Sequence, residues 1–256
     1  MKDDVYFRFQ MKQLADEVRF SWAKKGITDV FDILNEMAIL IRHPYNTEKY
    51  NRTLDGFSTF MQRHFVVFIN SAYTLGRERY TAAHELYHLI YDKDVIMRKR
   101  VLGDKDENEK RADTFAAEFL MPEEGVLEYV HNRINKPLQP KHIIRLQHQY
   151  QVSYIAMLRR LRDLGICKNA DFERLEEYCK RENAELLQQL TIKEGFSTEL
   201  IQASNTVSIP QRFIEIFIDN YESGKISLAK FSSLLNIIGK KPEDYGFKKV
   251  VNEDAE

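Results

Sequence analysis

The sequence predicts a mostly helical α+β protein with one small antiparallel sheet near its N-terminus. Three observations carry this prediction. Apolar residues recur at helical intervals at both ends of the chain, short β-branched and aromatic runs cluster between residues 38 and 70, and Gly, Pro and Ser punctuate the later helices.

Taken in order, Leu14, Val18 and Trp22 mark one helix and Val30, Phe31 and Leu34 a second, with a break at Gly26. Ala38-Ile39-Leu40-Ile41 stops at the His43-Pro44 turn signal and reads as a strand. Leu54 to Phe60 and Phe65 to Asn70 are two further runs, parted by the polar step Gln62-Arg63-His64 as in a hairpin. Arg77 to Tyr91 has helical spacing, and Glu107 to Met121 predicts another helix, which Pro122 stops. The charged stretch between them, residues 93–106, reads as a surface loop. Lys141 to Tyr150, the turn Val152-Ser153 and Tyr154 to Leu164 predict a helix-turn-helix, with Ser153 as N-cap and Gly165 as stop. Beyond Asp171 the pattern is helical: Pro210 and Gly224 bound one helix, Ser227 and Gly239 the next. The expected organisation is a domain over residues 1–130, a basic helix-turn-helix-like segment over 131–170 packed on it, and a helical extension over 171–256.

Charge narrows the function classes. The 38 Lys+Arg against 39 Asp+Glu, a net charge of −1, exclude a generally basic nucleic-acid or membrane-surface protein, and 43% hydrophobic residues argue against wholesale disorder. Neutrality hides a pattern, however: residues 1–130 sum to −3, 131–170 to +7 and 171–256 to −5. No run of about 18 apolar residues exists, and Met1-Lys2-Asp3-Asp4 does not open a secretory signal. Cys167 and Cys179 match neither a zinc-finger nor a redox spacing and read as reduced thiols. A soluble protein of the cytoplasm, without membrane contact, is expected.

The sharpest signal is His84-Glu85-Leu86-Tyr87-His88. On a helix, residues four apart stand on one face, so His84 and His88 can present two imidazoles to one metal ion while Glu85 borders that face. Imidazole suits zinc, and a zinc site open for chemistry needs a third protein ligand. Glu109-Lys110-Arg111-Ala112-Asp113 offers it: Glu109 as ligand, and Asp113, one turn on, to hold the distal N–H of a ligand histidine, His84 being the expected one. Ala112, Ala116 and Ala117 would let this helix approach the histidine helix closely. A lone Glu-x-x-x-Asp is usually only a solvated face; here it follows the histidine helix after one loop, on an apolar, Ala-rich helix. The combination predicts zinc-dependent peptide hydrolysis with Glu85 as general base. Tyr80, Tyr87, His131 and His142 are candidates for stabilising an oxyanion. The Phe65–Ile69 strand offers either an edge for an extended peptide or an inner strand.

Phe68-Ile69-Asn70, Arg77 through His88, Glu109 to Asp113 and Phe115-Ala116-Ala117-Glu118-Phe119-Leu120-Met121-Pro122 together resemble the ImmA/IrrE metallopeptidases, over roughly residues 10–165. The resemblance implies a gluzincin-like, zincin-type zinc peptidase domain in which His84, His88 and Glu109 match the family's ligands and Glu85 its catalytic Glu. Family members are cytoplasmic proteins of bacteria or mobile elements that cleave or inactivate helix-turn-helix repressors and so relieve repression, often in response to DNA damage. A repressor of that kind is the partner it implies. Tyr87 stands where the family usually has Gly, and its ring is expected to alter helix packing or partly fill the cleft.

Two other readings compete. Arg159, Arg160 and Arg162 lie where a recognition helix would be, so residues 131–170 could bind nucleic acid; the plainer reading is that they cover a solvated face or bind the acidic tail. A catalytically silent module that sequesters a repressor would carry the same ligands.

Overall fold

The computed structural model describes residues 2–45, 54–61, 63–97, 105–134 and 137–247. Helix α1 (Lys2–Ala23) buries Met11, Ala15 and Val18 along one face. Helix α2 (Val30–Met37) begins at Asp29, whose carboxylate accepts from the Phe31 amide at 2.8 Å and from Arg79 at 2.6 Å. One side chain thus caps this helix and ties it to the helix carrying Arg79.

Strands β1 (Ile39–His43), β2 (Gly56–Met61) and β3 (His64–Asn70) form a sheet of order β1-β3-β2. The last two strands make the expected antiparallel hairpin, but β1 runs parallel to β3, from Ile39 beside Val66 to His43 beside Asn70. The sheet is therefore mixed and not wholly antiparallel. Its centre goes to β3 because Val66, Val67 and Ile69 form the most deeply buried run, and the central place covers a strand on both edges. That placement decides between the two readings of Phe65–Ile69 in favour of the inner strand: both edges of β3 are paired, and among the described residues the unpaired edge beside the cleft described below is that of β2.

Helix α3 (Leu75–Tyr91) carries the His84–His88 motif and lies between the sheet and α5 (Lys105–Leu120), which packs in turn on α1. Arg19 closes the last contact by donating to the carbonyl oxygens of Glu118 at 2.6 Å and Phe119 at 3.2 Å, which lie in the last turn of α5. The expected surface loop starts with a short helix, α4 (Lys93–Met97); residues 98–104 lie outside the described residues. After α5, Pro122 is also the entry to α6 (Glu123–Arg133), because a proline without an N–H costs nothing before a first helical turn.

Helices α7 (Pro140–Tyr150) and α8 (Tyr154–Asp163) form the expected helix-turn-helix, with the Ser153 hydroxyl accepting from the Ala156 amide at 3.2 Å. Their turn docks on α3 at Gly76, where a Cβ would sit 2.6 Å from the Val152 carbonyl carbon. Only glycine fits that approach. Two buried clusters result: one joins α1, α2, the sheet, α3 and α5, the other centres on Ile143, Ile144, Leu146, Met157 and Leu161, and Tyr80 and Leu120 pack against both.

Residues 171–206 pack with this body. Phe172 and Leu175 of α9 (Asn169–Glu176) and Leu187 of α10 (Ala184–Lys193) enter the second cluster. The backbone at 202–205 pairs with residues 71–75, through Leu75 N to Gln202 O at 3.1 Å and Asn205 N to Ser71 O at 2.9 Å. The compact unit accordingly runs to Thr206, and a second unit comprises Val207–Glu256. In it α11 (Gln211–Glu222) and α12 (Leu228–Ile237) enclose Ile214, Phe231 and Leu235, with Tyr221 stacked on Phe231 at 4.8 Å. Among the described residues no helix is long and apolar enough to cross a membrane.

Candidate metal centre

Four residues apart on α3, His84 and His88 point their rings the same way, with Nε2 atoms 3.1 Å apart. The opposite nitrogen of each ring meets a carboxylate: His84 Nδ1 lies 2.9 Å from Asp113 Oδ1, and His88 Nδ1 lies 2.7 Å from Asp92 Oδ2. A carboxylate accepts only, so each Nδ1 carries the hydrogen and each Nε2 is left as a lone pair. Glu109 of α5 adds a third acceptor, with Oε2 3.2 Å from His84 Nε2 and Oε1 3.9 Å from His88 Nε2.

The three ligand atoms lie within 4.8 Å of one another. With no donor among them, they repel unless a proton or a cation stands between. Burial would lower the His84 imidazole, yet the Asp113 hydrogen bond together with Glu85 and Glu109 raises it above its ordinary value, so the site draws positive charge. Two neutral imidazoles and one carboxylate, with oriented outer nitrogens, fit a divalent zinc-like ion. Asp113 thus holds His84, as its spacing suggested. Asp92, which the sequence reading passed over, holds His88 in the same way; its spacing of four from His88 was the available signal.

Glu85 points from the same helix toward β2. Its carboxylate Oε2 accepts from the Ser58 hydroxyl at 2.6 Å, and burial pushes the carboxyl above the ordinary range against the opposing effects of Ser58 and the two imidazoles. Ser58 reaches it because β2 presses onto α3 at Gly56, where a Cβ would lie 2.7 Å from Thr81 Cγ2. No local pattern could have revealed Ser58, since the contact depends on how strand and helix pack.

The centre opens into a cleft of about 1080 Å³. Its lining includes Gly56 to Thr59 of β2 and Ile155, Ala156, Arg159 and Asp163 of α8. Val95 and Ile96 of α4, in the stretch read as a surface loop, also line it. Of the four oxyanion candidates only Tyr80 lines the cleft, and its hydroxyl donates to the Asp113 carbonyl oxygen at 2.8 Å. Tyr87 instead turns into the core against Tyr91 and Phe115, with ring centroids at 5.1 and 5.5 Å. Its effect is on packing, and it does not fill the cleft. His131 is exposed on α6, and His142 is buried with Nδ1 accepting from the Gln139 amide at 3.2 Å.

The three arginines of the basic segment face three different surroundings. Arg160 is 4% exposed and bidentate to Glu118 at 2.8 and 2.6 Å, Arg162 lies over the Phe172 ring at 3.9 Å, and Arg159 is exposed in the cleft. They do not form one phosphate-facing row. Arg145 of the same segment pairs with Glu194 at 2.6 Å.

Comparison with known families places this arrangement. Residues 45–162 match the Peptidase_M78 family model, described as an IrrE N-terminal-like domain. The match spans β2 through most of α8 and so contains every side chain named at the metal centre. A search of curated proteins finds no match.

Proposed function

Because residues 45–162 match the IrrE N-terminal-like Peptidase_M78 family model, we propose that the protein is a zinc-dependent metallo-endopeptidase. It makes limited cuts in a protein substrate, a helix-turn-helix transcriptional repressor of the cytoplasm, and so relieves repression. The observation that carries this reading is the convergence of His84 Nε2, His88 Nε2 and a Glu109 oxygen on one point, with the buried Glu85 carboxylate beside it in an open cleft.

Each residue has a part in that chemistry. Zinc, when bound, supplies a Lewis acid that lowers the pKa of water toward about 7 and polarises the scissile carbonyl. Glu85 takes the proton of the attacking water and returns it to the leaving amine. Its raised carboxyl suits both halves of that shuttle, since a base of ordinary carboxylate strength would release the proton to solvent more readily than accept it. Ser58 fixes one carboxylate oxygen and leaves the other for the water. Among the described residues no strand pairs with the outer edge of β2, which could receive an extended chain and so supports a peptide as the substrate.

The test is direct. The purified protein should contain about one zinc per chain. Glu85→Gln should retain the metal and abolish cleavage of a repressor co-expressed with it. A metal-free wild type of intact fold would defeat the reading, and unchanged cleavage by Glu85→Gln would remove Glu85 from its role. Metal without cleavage in the wild type would leave a silent repressor-binding module in its place.

A further inference from the structure

The cleft holds three guanidinium groups, and their pairing is unequal. Arg77 is held by Asp55 at 2.7 to 3.1 Å and lies over the Tyr73 ring at 4.0 Å. Arg160 is buried against Glu118 and donates its Nε–H to the Met121 carbonyl at 3.0 Å. Arg159 is exposed and, among the described residues, makes no ion pair or side-chain hydrogen bond; Asp163, one turn along α8 and also on the cleft wall, is beyond pairing distance. Arg159 is therefore the uncompensated cation of the cleft.

Its position is also held. The Arg160–Glu118 pair clamps α8 onto α5, the helix that carries Glu109 and Asp113, so the neighbouring Arg159 sits on a wall whose rotation relative to the metal ligands is set. Around the metal point the side chains are acidic: Glu85, Asp92, Glu109 and Asp113. The β2 edge, the metal-site side chains and Ile155, Ala156 and Arg159 line one cleft, so a substrate chain held in it lies in the space that Arg159 borders.

Resting on the peptidase reading, we infer that Arg159 is a specificity-determining residue: it receives a carboxylate of the substrate, flanking the cut bond, from an Asp or Glu side chain or from a chain terminus. Guanidinium and carboxylate form charge-assisted, often bidentate hydrogen bonds, and the open cleft lets a peptide bring its own carboxylate to this one.

A randomised decapeptide library tests this on the full-length, zinc-loaded protein, in one copy with free C-termini and one amidated. Peptides retained by Glu85→Gln should be enriched in Asp and Glu at one position by about tenfold, the effect of one such charged contact. Enrichment at an internal position in both libraries identifies a side chain, whereas retention confined to the free-acid library identifies a terminus. Adding Arg159→Gln should abolish the preference, and Arg159→Glu should turn it toward Lys and Arg, which a merely structural role for Arg159 would not do. No retained peptide, no acidic preference, or a preference that survives Arg159→Gln would each overturn the inference. Digestion of the same libraries by protein with Glu85 intact separates the two readings. Cleavage indifferent to acidic residues keeps the peptidase and rejects Arg159, while acid-selective retention without cleavage keeps Arg159 and rejects the peptidase.

Discussion

Asp92 and Asp113 do the same work on two different histidines. Each fixes a ring through Nδ1 and leaves Nε2 as the lone pair that a metal needs, so replacing either carboxylate by an amide weakens both the tautomer preference and the basicity of the ligand. Asp92→Asn and Asp113→Asn should each lower zinc affinity by about 10- to 100-fold with the fold retained, measured by competition with a chromophoric chelator. Equal affinity in the Asp92 variant would show that His88 needs no such support. Only part of this was readable from the residues. Glu109 and Asp113 stood out because their helical spacing repeats that of the histidines; Asp92 has the same spacing but falls at the C-cap of α3, where an acidic residue reads as the end of a helix. The cysteines make a second prediction at this scale. Burial raises the Cys167 thiol above its ordinary value and keeps it protonated near neutral pH, whereas Cys179 is exposed. Iodoacetamide at pH 7.4 should therefore label the exposed Cys179 well before the buried Cys167, as followed by intact mass, and equal rates would show that Cys167 is accessible.

At the scale of elements, what holds the cleft together is the docking of α8 on α5 and of the α7–α8 turn on α3. Glu118 and Arg160 are both almost fully buried, so breaking the pair leaves a charge without a partner at a cost of about 3–5 kcal/mol. Glu118→Ala should accordingly lower the thermal midpoint by several degrees or prevent folding, whereas Arg159→Gln, exposed and next to Arg160 in the chain, should not move it. Gly76→Ala forces a Cβ into the Val152–Ser153 backbone and should destabilise by about 1–3 kcal/mol, read from urea unfolding. Helix α7 adds a dependence on pH. His142 is lowered by burial and by Lys141 and Arg145, and His148, stacked on Phe196 at 4.4 Å, is lowered by burial. The unfolded chain therefore takes up protons first as pH falls through the ordinary value of 6.5, so this stability is full above that value and declines below it. The urea midpoint should fall between pH 7.5 and 5.5, and fall less in His148→Phe, which keeps the ring stack. The helix-turn-helix itself was plain in its Ser153 cap and Gly165 stop, but the inward turn of Arg160 was not: a charged residue on a helix reads as solvated until the carboxylate that buries it is known. Strand direction failed for a related reason, since an apolar run announces a strand and leaves its neighbour open.

For the whole molecule, the division of the chain at Thr206 sets what a bound metal can stabilise. Regional charge suggested a boundary near residue 170, because the sign of the charge changes there; packing moves it, since Phe172, Leu175 and Leu187 bury their side chains with α7 and α8 and residues 202–206 join the backbone near the start of α3. All of the proposed ligands lie in the unit that ends at Thr206, and the second unit has its own core around Phe231. A ligand that binds only the folded state stabilises it by about 4.1 kcal/mol when present at 1,000 times its dissociation constant. Removing zinc from the full-length protein with a chelator should therefore lower the melting temperature of the larger unit by several degrees and leave the transition of the smaller one in place, as two calorimetric peaks would show. Adding zinc back should restore the first peak in the wild type and not in His84→Ala. A chelator shift that survives His84→Ala would place the metal elsewhere, and a single transition that moves as one would show that the two units unfold together.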